Sequence, residues 1–466
     1  MNGTRRLIHQ HRRRRGRAVL AGALVASTFT LGAANGDSLA GGDRVEVSYW
    51  TWSHITQVPG TEGDPLEEAF EAANPDVDLV VRTFQFPDYQ TALRTAMTGD
   101  SGPAVVALQN GSMTRGLHEF LEPVGPVLDE RLGAGWEDDF NTNALGLTRR
   151  MSDYPAGETL WGLPIQINVL GVQWYWQDIF EENGLEVPAT YDDFVAAAAV
   201  LREADKIPIA WGAKDQWPNT DWLVILASQW RAGAVEAAEL GEIFFTDESI
   251  VNALNFMQQM TDDGLFNDGP FGTTTYPEAN GFFVDRSAAT YNTGLHTKFA
   301  ADTTEGAYEN WRGFLFPHIA DAPVDDWLGD LPAASPAGGG TGPSRPLFDV
   351  SVILGMRAGL DDATADASAR FVEFMGSQEG QGLNATFMAP TRRDVQLAGI
   401  SDPGFQEMVD WHFSISEFGE RREMLFPETR EALQTAIENV LVNGADAATE
   451  LASVDEAAAA AREAAG

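Results

Sequence analysis

Between Arg44 and Leu121 the sequence alternates three times between a short β-type run and a helix-type run, and this alternation narrows the possible folds more than any other feature. Arg44-Val-Glu-Val-Ser-Tyr-Trp-Thr-Trp52 alternates with period two and ends in aromatics. Asp64-Pro65 opens a helix as cap and first-turn proline; Leu66, Ala69, Phe70 and Ala73 form its apolar face, and Asn74-Pro75 stops it. Val77 to Phe84 is a second strand. Asp88 caps a helix carrying Leu93, Ala96 and Met97 and closed at Gly99; Pro103 to Leu108 is a third, apolar strand, and Met113 to Leu121 a third helix. Repeated β-α units with apolar strands predict an α/β fold, a mainly parallel sheet with helices on both faces. In such sheets ligands gather beyond the carboxyl ends of the strands, here Trp52-Ser53-His54 and Gln109-Asn110-Gly111.

A loop-rich segment, Pro123 to Asp153, leads to a second landmark. Trp161 to Val172 is apolar at nearly every position except Gln166 and Asn168. Two amides in a buried extended run need partners, because an unpaired buried amide costs free energy. The stretch reads as a strand that leaves one lobe, passes an open site and enters a second lobe.

Beyond it, Asp178 to Asn183 is a short helix and Thr190-Tyr-Asp-Asp193 a capping-box start to another. Ile207 to Trp211 is a strand, and Gln216-Trp217-Pro-Asn-Thr-Asp221-Trp222 a loop rich in aromatics and amides before an apolar helix to Gln229. Asp247 caps a helix closed at Gly264. Tyr276 to Phe283 is helical, and Ala288 to Gly294 is a strand ending in a small polar turn. Ala333 to Pro346 is Gly/Pro/Ser-rich loop, Asp349 to Met356 a strand, Thr364 to Met375 an amphipathic helix, and Asp410 to Gly466 helical.

At 466 residues the chain exceeds what one hydrophobic core usually organises, so two domains are expected. Residues 1–40 have the three parts of a secretory signal: a basic head (Arg5, Arg6, Arg12 to Arg15, Arg17), an uncharged small-apolar stretch from Ala18 to Ala34, and small residues allowing cleavage after Ala34 or Ala40. Either general secretion or a twin-arginine route fits, the latter through Thr4-Arg5-Arg6-Leu7-Ile8. Removing residues 1–40 leaves 23 basic and 68 acidic residues, a surface that repels nucleic acid and anionic membranes. The absence of cysteine excludes disulfides, thiol chemistry and a lipidated N-terminal cysteine, so an exported product free in a periplasm or outside the cell is expected. Scattered histidines show no metal-ligand spacing, no Gly-x-Ser-x-Gly elbow is present, and no cofactor or catalytic residue is expected.

Val47 to Trp52, Phe70-Glu-Ala-Ala-Asn-Pro75, Gly99-Asp-Ser-Gly-Pro103, Trp161-Gly-Leu-Pro164, Asp178 to Gly184, Phe371 to Gly380 and Ala389-Pro-Thr-Arg392 occur in an order and spacing that resembles the bacterial extracellular solute-binding proteins of ABC importers. The resemblance is to their sugar-binding group, which includes the maltose-binding protein, and covers residues 44 to about 440. It implies a two-lobed periplasmic-binding-protein-like fold hinged by crossing strands. The first lobe would comprise 44–163 and 350–392, the second 164–349 and 393–466. It also implies a monomer that captures a mono- or oligosaccharide by hinge closure and hands it to a membrane permease, with no nucleic acid partner.

A neutral sugar needs amides and carboxylates for its hydroxyls and aromatic rings for its C–H faces. All 13 tryptophans lie beyond residue 40, roughly twice the usual share. The ligand-binding candidates, by match to the family's segments, are Trp52, Ser53, His54, Gln109, Asn110, Gln166, Asn168, Trp217, Asp221, Asn292, Gly294, Gly339, Gly340 and Arg392. Bland readings stand beside them: Trp52 and Trp217 suit a core, Asn110-Gly111 suits a turn, and Arg392 suits a salt bridge. Two other functions fit the composition. A cationic solute such as a polyamine suits the acidity and would require Asp or Glu lining the cleft; a secreted glycoside hydrolase would require a placed pair of carboxylates.

Overall fold

The structure, a computed structural model, describes residues 44–52, 64–84, 86–99, 101–319, 322, 334–338, 344–385, 389–397, 399–400 and 402–465. Two mixed sheets organise it. The first contains β1 (Val45–Thr51), β2 (Val77–Thr83), β3 (Val105–Leu108), β4 (Leu121–Glu122) and β5 (Leu163–Leu170); the second contains β6 (Val172–Trp176), β7 (Ile207–Ala210), β8 (Ala288–Thr293) and β9 (Trp311–Leu315). Two later strands, β10 (Leu347–Arg357) and β11 (Glu420–Arg421), join the first sheet, whose path runs β11-β10-β3-β1-β2 with β4 and β5 also paired to β10.

The β-α alternation read from the sequence gives the parallel set β2-β1-β3. The sheets as wholes are not mainly parallel, because β10 returns antiparallel to β3, β4 and β5, and β6 runs antiparallel to β8 and β9. A chain that crosses out and back through the same gap must lay one crossing strand against the other. In the first sheet Val47, Tyr49, Val105, Ile165 and Val352 are buried under helix Asp362–Met375, where the Phe70 and Phe371 rings meet at 5.1 Å. Trp174, Trp176 and Trp311 are fully buried around the second sheet, with the Trp176 and Trp311 rings edge-on at 5.4 Å.

The change of sheet falls at Gly171, between β5 and β6, later than the 163/164 boundary expected from sequence. Gly171 has a φ of +77°, where a side chain is strained, and an added Cβ would stand 3.0 Å from Ile225 Cδ1. Glycine is what lets the strand turn from one sheet to the other.

Three sequence expectations fail informatively. Pro123 to Asp153 is not loop-rich: it holds helices Val124–Leu132 and Thr142–Ser152, the second capped by Asn141 accepting from Ala144 N at 3.0 Å. Val124 and Leu128, then Leu147 and Met151, sit at helical spacing among Gly, Pro and Asp residues that hide it. The Gln216–Trp222 loop is the first two turns of helix Trp217–Ala227, with Pro218 in its first turn. The helical tail from Asp410 is also interrupted. Helices Pro403–Ile415 and Pro427–Asn443 are separated by a segment containing β11. That segment is anchored by a buried Arg421–Glu239 ion pair and by backbone amides of Gly233 and Phe426 donating to Glu420 (2.7 Å) and Glu239 (3.0 Å).

Candidate functional site

A cavity of about 1190 Å³ opens between the strand ends of the two sheets. The alternation that builds each sheet also builds this gap, because strand ends carry the loops that face it. β1 delivers Trp52, whose ring packs 5.0 Å from Tyr89; the Tyr89 hydroxyl donates to Ala107 O at 2.6 Å, tying the ends of β1 and β3 together. β3 delivers Gln109, β5 Asn168, and β10 Asp349 and Ser351. From the second half come Trp217 and Asp221 on successive turns of helix Trp217–Ala227, Tyr276 before helix Asn280–Val284, and His296 just past β8.

Arg422 is the hub. Its Nε donates to Asp221 at 2.9 Å, its Nη1 to Glu423 at 3.0 Å, Asp349 stands 3.5 Å away, and its guanidinium lies 4.9 Å from the Trp217 ring centre. Glu423 in turn accepts from Gln109 at 2.8 Å, so one chain of bonds runs from the end of β3 to the helix that carries Asp221. Burial pushes the Asp221 carboxyl up to about 7; the guanidinium opposes this and the charges of Glu423 and Asp349 reinforce it. Burial also raises Asp349. For Arg422 burial favours losing the proton, but Asp221, Glu423 and Asp349 outweigh it and keep the group charged. Three carboxylates around one guanidinium leave excess negative charge at the cavity floor.

His296 forms the second polar cluster. Asn168 Nδ2 donates to its Nδ1 at 2.8 Å, while Tyr276 Oη (2.7 Å) and Thr293 Oγ1 (3.0 Å) lie beside its Nε2. An amide donor on Nδ1 requires a lone pair there, so the ring is neutral with its proton on Nε2. Burial, aided by nearby Arg422, lowers its pKa to about 4, in agreement with a neutral ring. The Asn168 Oδ1 has no partner.

Among the sequence-predicted residues, the structure gathers Trp52, Gln109, Asn168, Trp217 and Asp221 around this cavity. Gly294 sits beneath Asn168: a Cβ there would stand 2.6 Å from Asn168 Oδ1 and 2.9 Å from Val169 O, so its role is close approach. Asn292 bonds Gln173 at 3.4 Å and lines a small hole behind Trp217. Asn110 is buried off the cavity wall. Two expectations need correction. Gln166 does not face the cleft; it shares a face of β5 with Asn168 but lies farther from the strand's end, where it is fully buried against helix Gln378–Asn384 and donates to Asn384 at 2.9 Å. Arg392 is occupied by Asp139 at 3.0 Å and Asp394 at 2.8 Å, and does not line the cavity. Ser53, His54, Gly339 and Gly340 lie outside the described residues.

Sequence reasoning missed Arg422, Glu423, Asp349, Tyr276 and His296. Glu420-Arg-Arg-Glu423 reads as a solvated charge run, yet the adjoining Met-Leu-Phe426 is wholly buried, and charges beside a buried triplet were the available signal.

Residues 55–382 match the sequence model of the family described as bacterial extracellular solute-binding protein. The alpha-glucosides-binding periplasmic protein AglE of Rhizobium meliloti is 30% identical over 116 residues, 24% of this chain and 25% of that protein. The osmoprotective compounds-binding protein GgtB of Synechocystis is 26% identical over 136 residues, 27% of this chain and 32% of that protein. The chain thus spans about a quarter to a third of the length of these curated relatives. Among solved structures, the maltose/maltodextrin-binding domain of Bdellovibrio bacteriovorus superposes with a TM-score of 0.64 at 14% identity, covering 89% of this chain and 99% of that one. The GacH receptor of Streptomyces glaucescens gives 0.65 at 17% identity, covering 89% and 97%. At these identities the structural likeness speaks for the two-lobed fold.

Proposed function

The chain belongs to the bacterial extracellular solute-binding proteins, and from that premise we propose that it captures a mono- or oligosaccharide in the cavity between its sheets and delivers it to the permease of an ABC importer. The observation that carries this reading is the cavity wall itself. Trp52 and Trp217 offer flat apolar faces, and Gln109, Asp221, Asp349 and Glu423 offer donors and acceptors. A polyol has both kinds of surface. Arg422 holds Asp221 and Glu423 in place, so a hydroxyl meets acceptors that need little reorganisation.

Capture would proceed by hinge closure, with Gly171 as one pivot. A ligand touching both sheets' loops stabilises the closed form by the contacts it makes only there. The permease would read the closed pair of lobe faces. On this reading the protein is a binder without catalysis, acts as a monomer, loses residues 1–40 on export and works free in a periplasm or outside the cell. Among the described residues no helix is long and apolar enough to cross a membrane.

One observation favours a second reading. Asp215, Asp221, Asp349, Glu423 and Glu431 line the cavity against Arg422 and Arg430, an acidic excess that suits a cationic solute such as a polyamine. Thermal unfolding in the presence of mono- and oligosaccharides, putrescine and spermidine separates the two. Ligand at 100 times its Kd adds about 2.7 kcal/mol of stability. A melting temperature raised by a sugar supports the first reading; one raised only by a polyamine replaces it with the second.

A further inference from the structure

The cavity's long wall is a helix face that neither the sequence candidates nor the Arg422 cluster uses. Pro427, Arg430, Glu431, Gln434 and Thr435 all line it from helix Pro427–Asn443. Their spacing is that of one helical face. From Pro427 to Thr435 the helix advances about 12 Å, more than twice the width of one six-membered sugar ring. Thr297, Ala300, Thr303 and Thr304 also line the cavity. The volume of about 1190 Å³ lies above the ~300–1,000 Å³ common for sites that hold drug-sized ligands. A single pyranose leaves most of it to water.

Exposure is graded across the lining. Asp221 and Asp349 are buried at the floor, Trp52 and Trp217 are half-buried, and Tyr276, Arg430, Glu431 and Thr435 are exposed. Among the described residues, the side chains of Arg430 and Glu431 make no hydrogen bond or ion pair within the protein, so their donors and acceptors are free for a ligand. Tyr276, 48% exposed with its hydroxyl on His296, adds an exposed aromatic to the lining.

We infer that the ligand is an oligosaccharide of at least two rings, with its inner ring on the Trp217–Arg422 floor and its outer rings along the Arg430–Glu431–Thr435 face. This rests on the saccharide reading above. The first three turns of helix Pro427–Asn443 are then an outer subsite that sets chain length, a task separate from the recognition made at the floor.

The test uses titration calorimetry with gluco-, xylo- and N-acetylglucosamine series of one to five rings, on the unaltered protein and on an Arg430→Ala/Glu431→Ala/Thr435→Ala variant. All three positions are exposed, so the variant should fold; its melting temperature checks that. In the series that binds, affinity should rise about tenfold or more from one ring to three, as two added hydrogen bonds give. The variant should lose that rise while holding its affinity for the shortest binding sugar within about twofold. If the monosaccharide binds as tightly as the trisaccharide, or the variant keeps the full rise, the outer subsite is refuted and the saccharide reading stands. If no sugar of any length binds, the saccharide reading itself falls.

Discussion

The side-chain amide of Asn168 donates to Nδ1 of His296 across 2.8 Å, joining the end of β5 to the loop after β8. It ties the two sheets together at the point where the chain is about to pass from one to the other and fixes the His296 ring on the cavity wall, while Asn168 Oδ1 itself is buried without a partner against Gly294. Asn168→Ala should therefore weaken ligand binding about tenfold while lowering stability by only ~1 kcal/mol, one ordinary hydrogen bond. Calorimetry and denaturant unfolding read the two effects. Loss of folding with unchanged affinity would mean that the amide serves the core alone.

Gly294→Ala should reach the same amide from behind. The new Cβ meets Asn168 Oδ1 at 2.6 Å and the backbone oxygen of Val169 at 2.9 Å, so the side chain must move. Affinity should fall at least as far as in Asn168→Ala, and the double variant should fall little further, because both changes act through one group.

Arg422→Met should be costly. It leaves Asp221, Asp349 and Glu423 facing one another with no cation between them, and breaking one side of a buried pair costs about 3–5 kcal/mol. Urea unfolding at neutral pH measures the loss. A variant also carrying Asp221→Asn should recover part of it, since it removes one of the stranded charges.

The same cluster sets a pH dependence. The folded Asp221 titrates near 7 and the unfolded one near 4, so between those values the folded chain holds the extra proton. Its contribution is complete below about pH 4 and is lost as pH rises towards 7. Asp221→Asn should flatten the decline in stability over that window, and a melting-temperature series from pH 4 to 8 reads it. An unchanged slope would place the titration elsewhere.

Two neighbouring tryptophans should separate binding from packing. Trp222 is 2% exposed among Phe266 and Phe316, and its replacement by Ala should cost about 3–5 kcal/mol of stability. Trp217 is half-buried on the cavity wall; Trp217→Ala should cost far less stability and reduce sugar affinity about tenfold.

The fold was legible where local signals are strong. Asp64-Pro65 and the Thr190–Asp193 capping box start helices where the sequence says, and β1, β2 and β3 pair in the parallel set that the alternation demands. What failed depends on tertiary placement. The antiparallel return of β10 is invisible locally, and β11 is two residues that form a strand only because β10 lies alongside. The site divides in the same way. Residues at strand ends, such as Trp52, Gln109 and Asn168, could be placed from topology. Arg422 and Glu423 could not, because they reach the cavity only through a break in what reads as a continuous helical tail.

Titration calorimetry at pH 7 with saccharides of one to five rings, putrescine and spermidine tests the central claim most directly, on the unaltered protein and on Trp217→Ala. Expected is saturable one-to-one binding of at least one saccharide, weakened about tenfold in the variant. Binding of a polyamine with no response to any saccharide would contradict it.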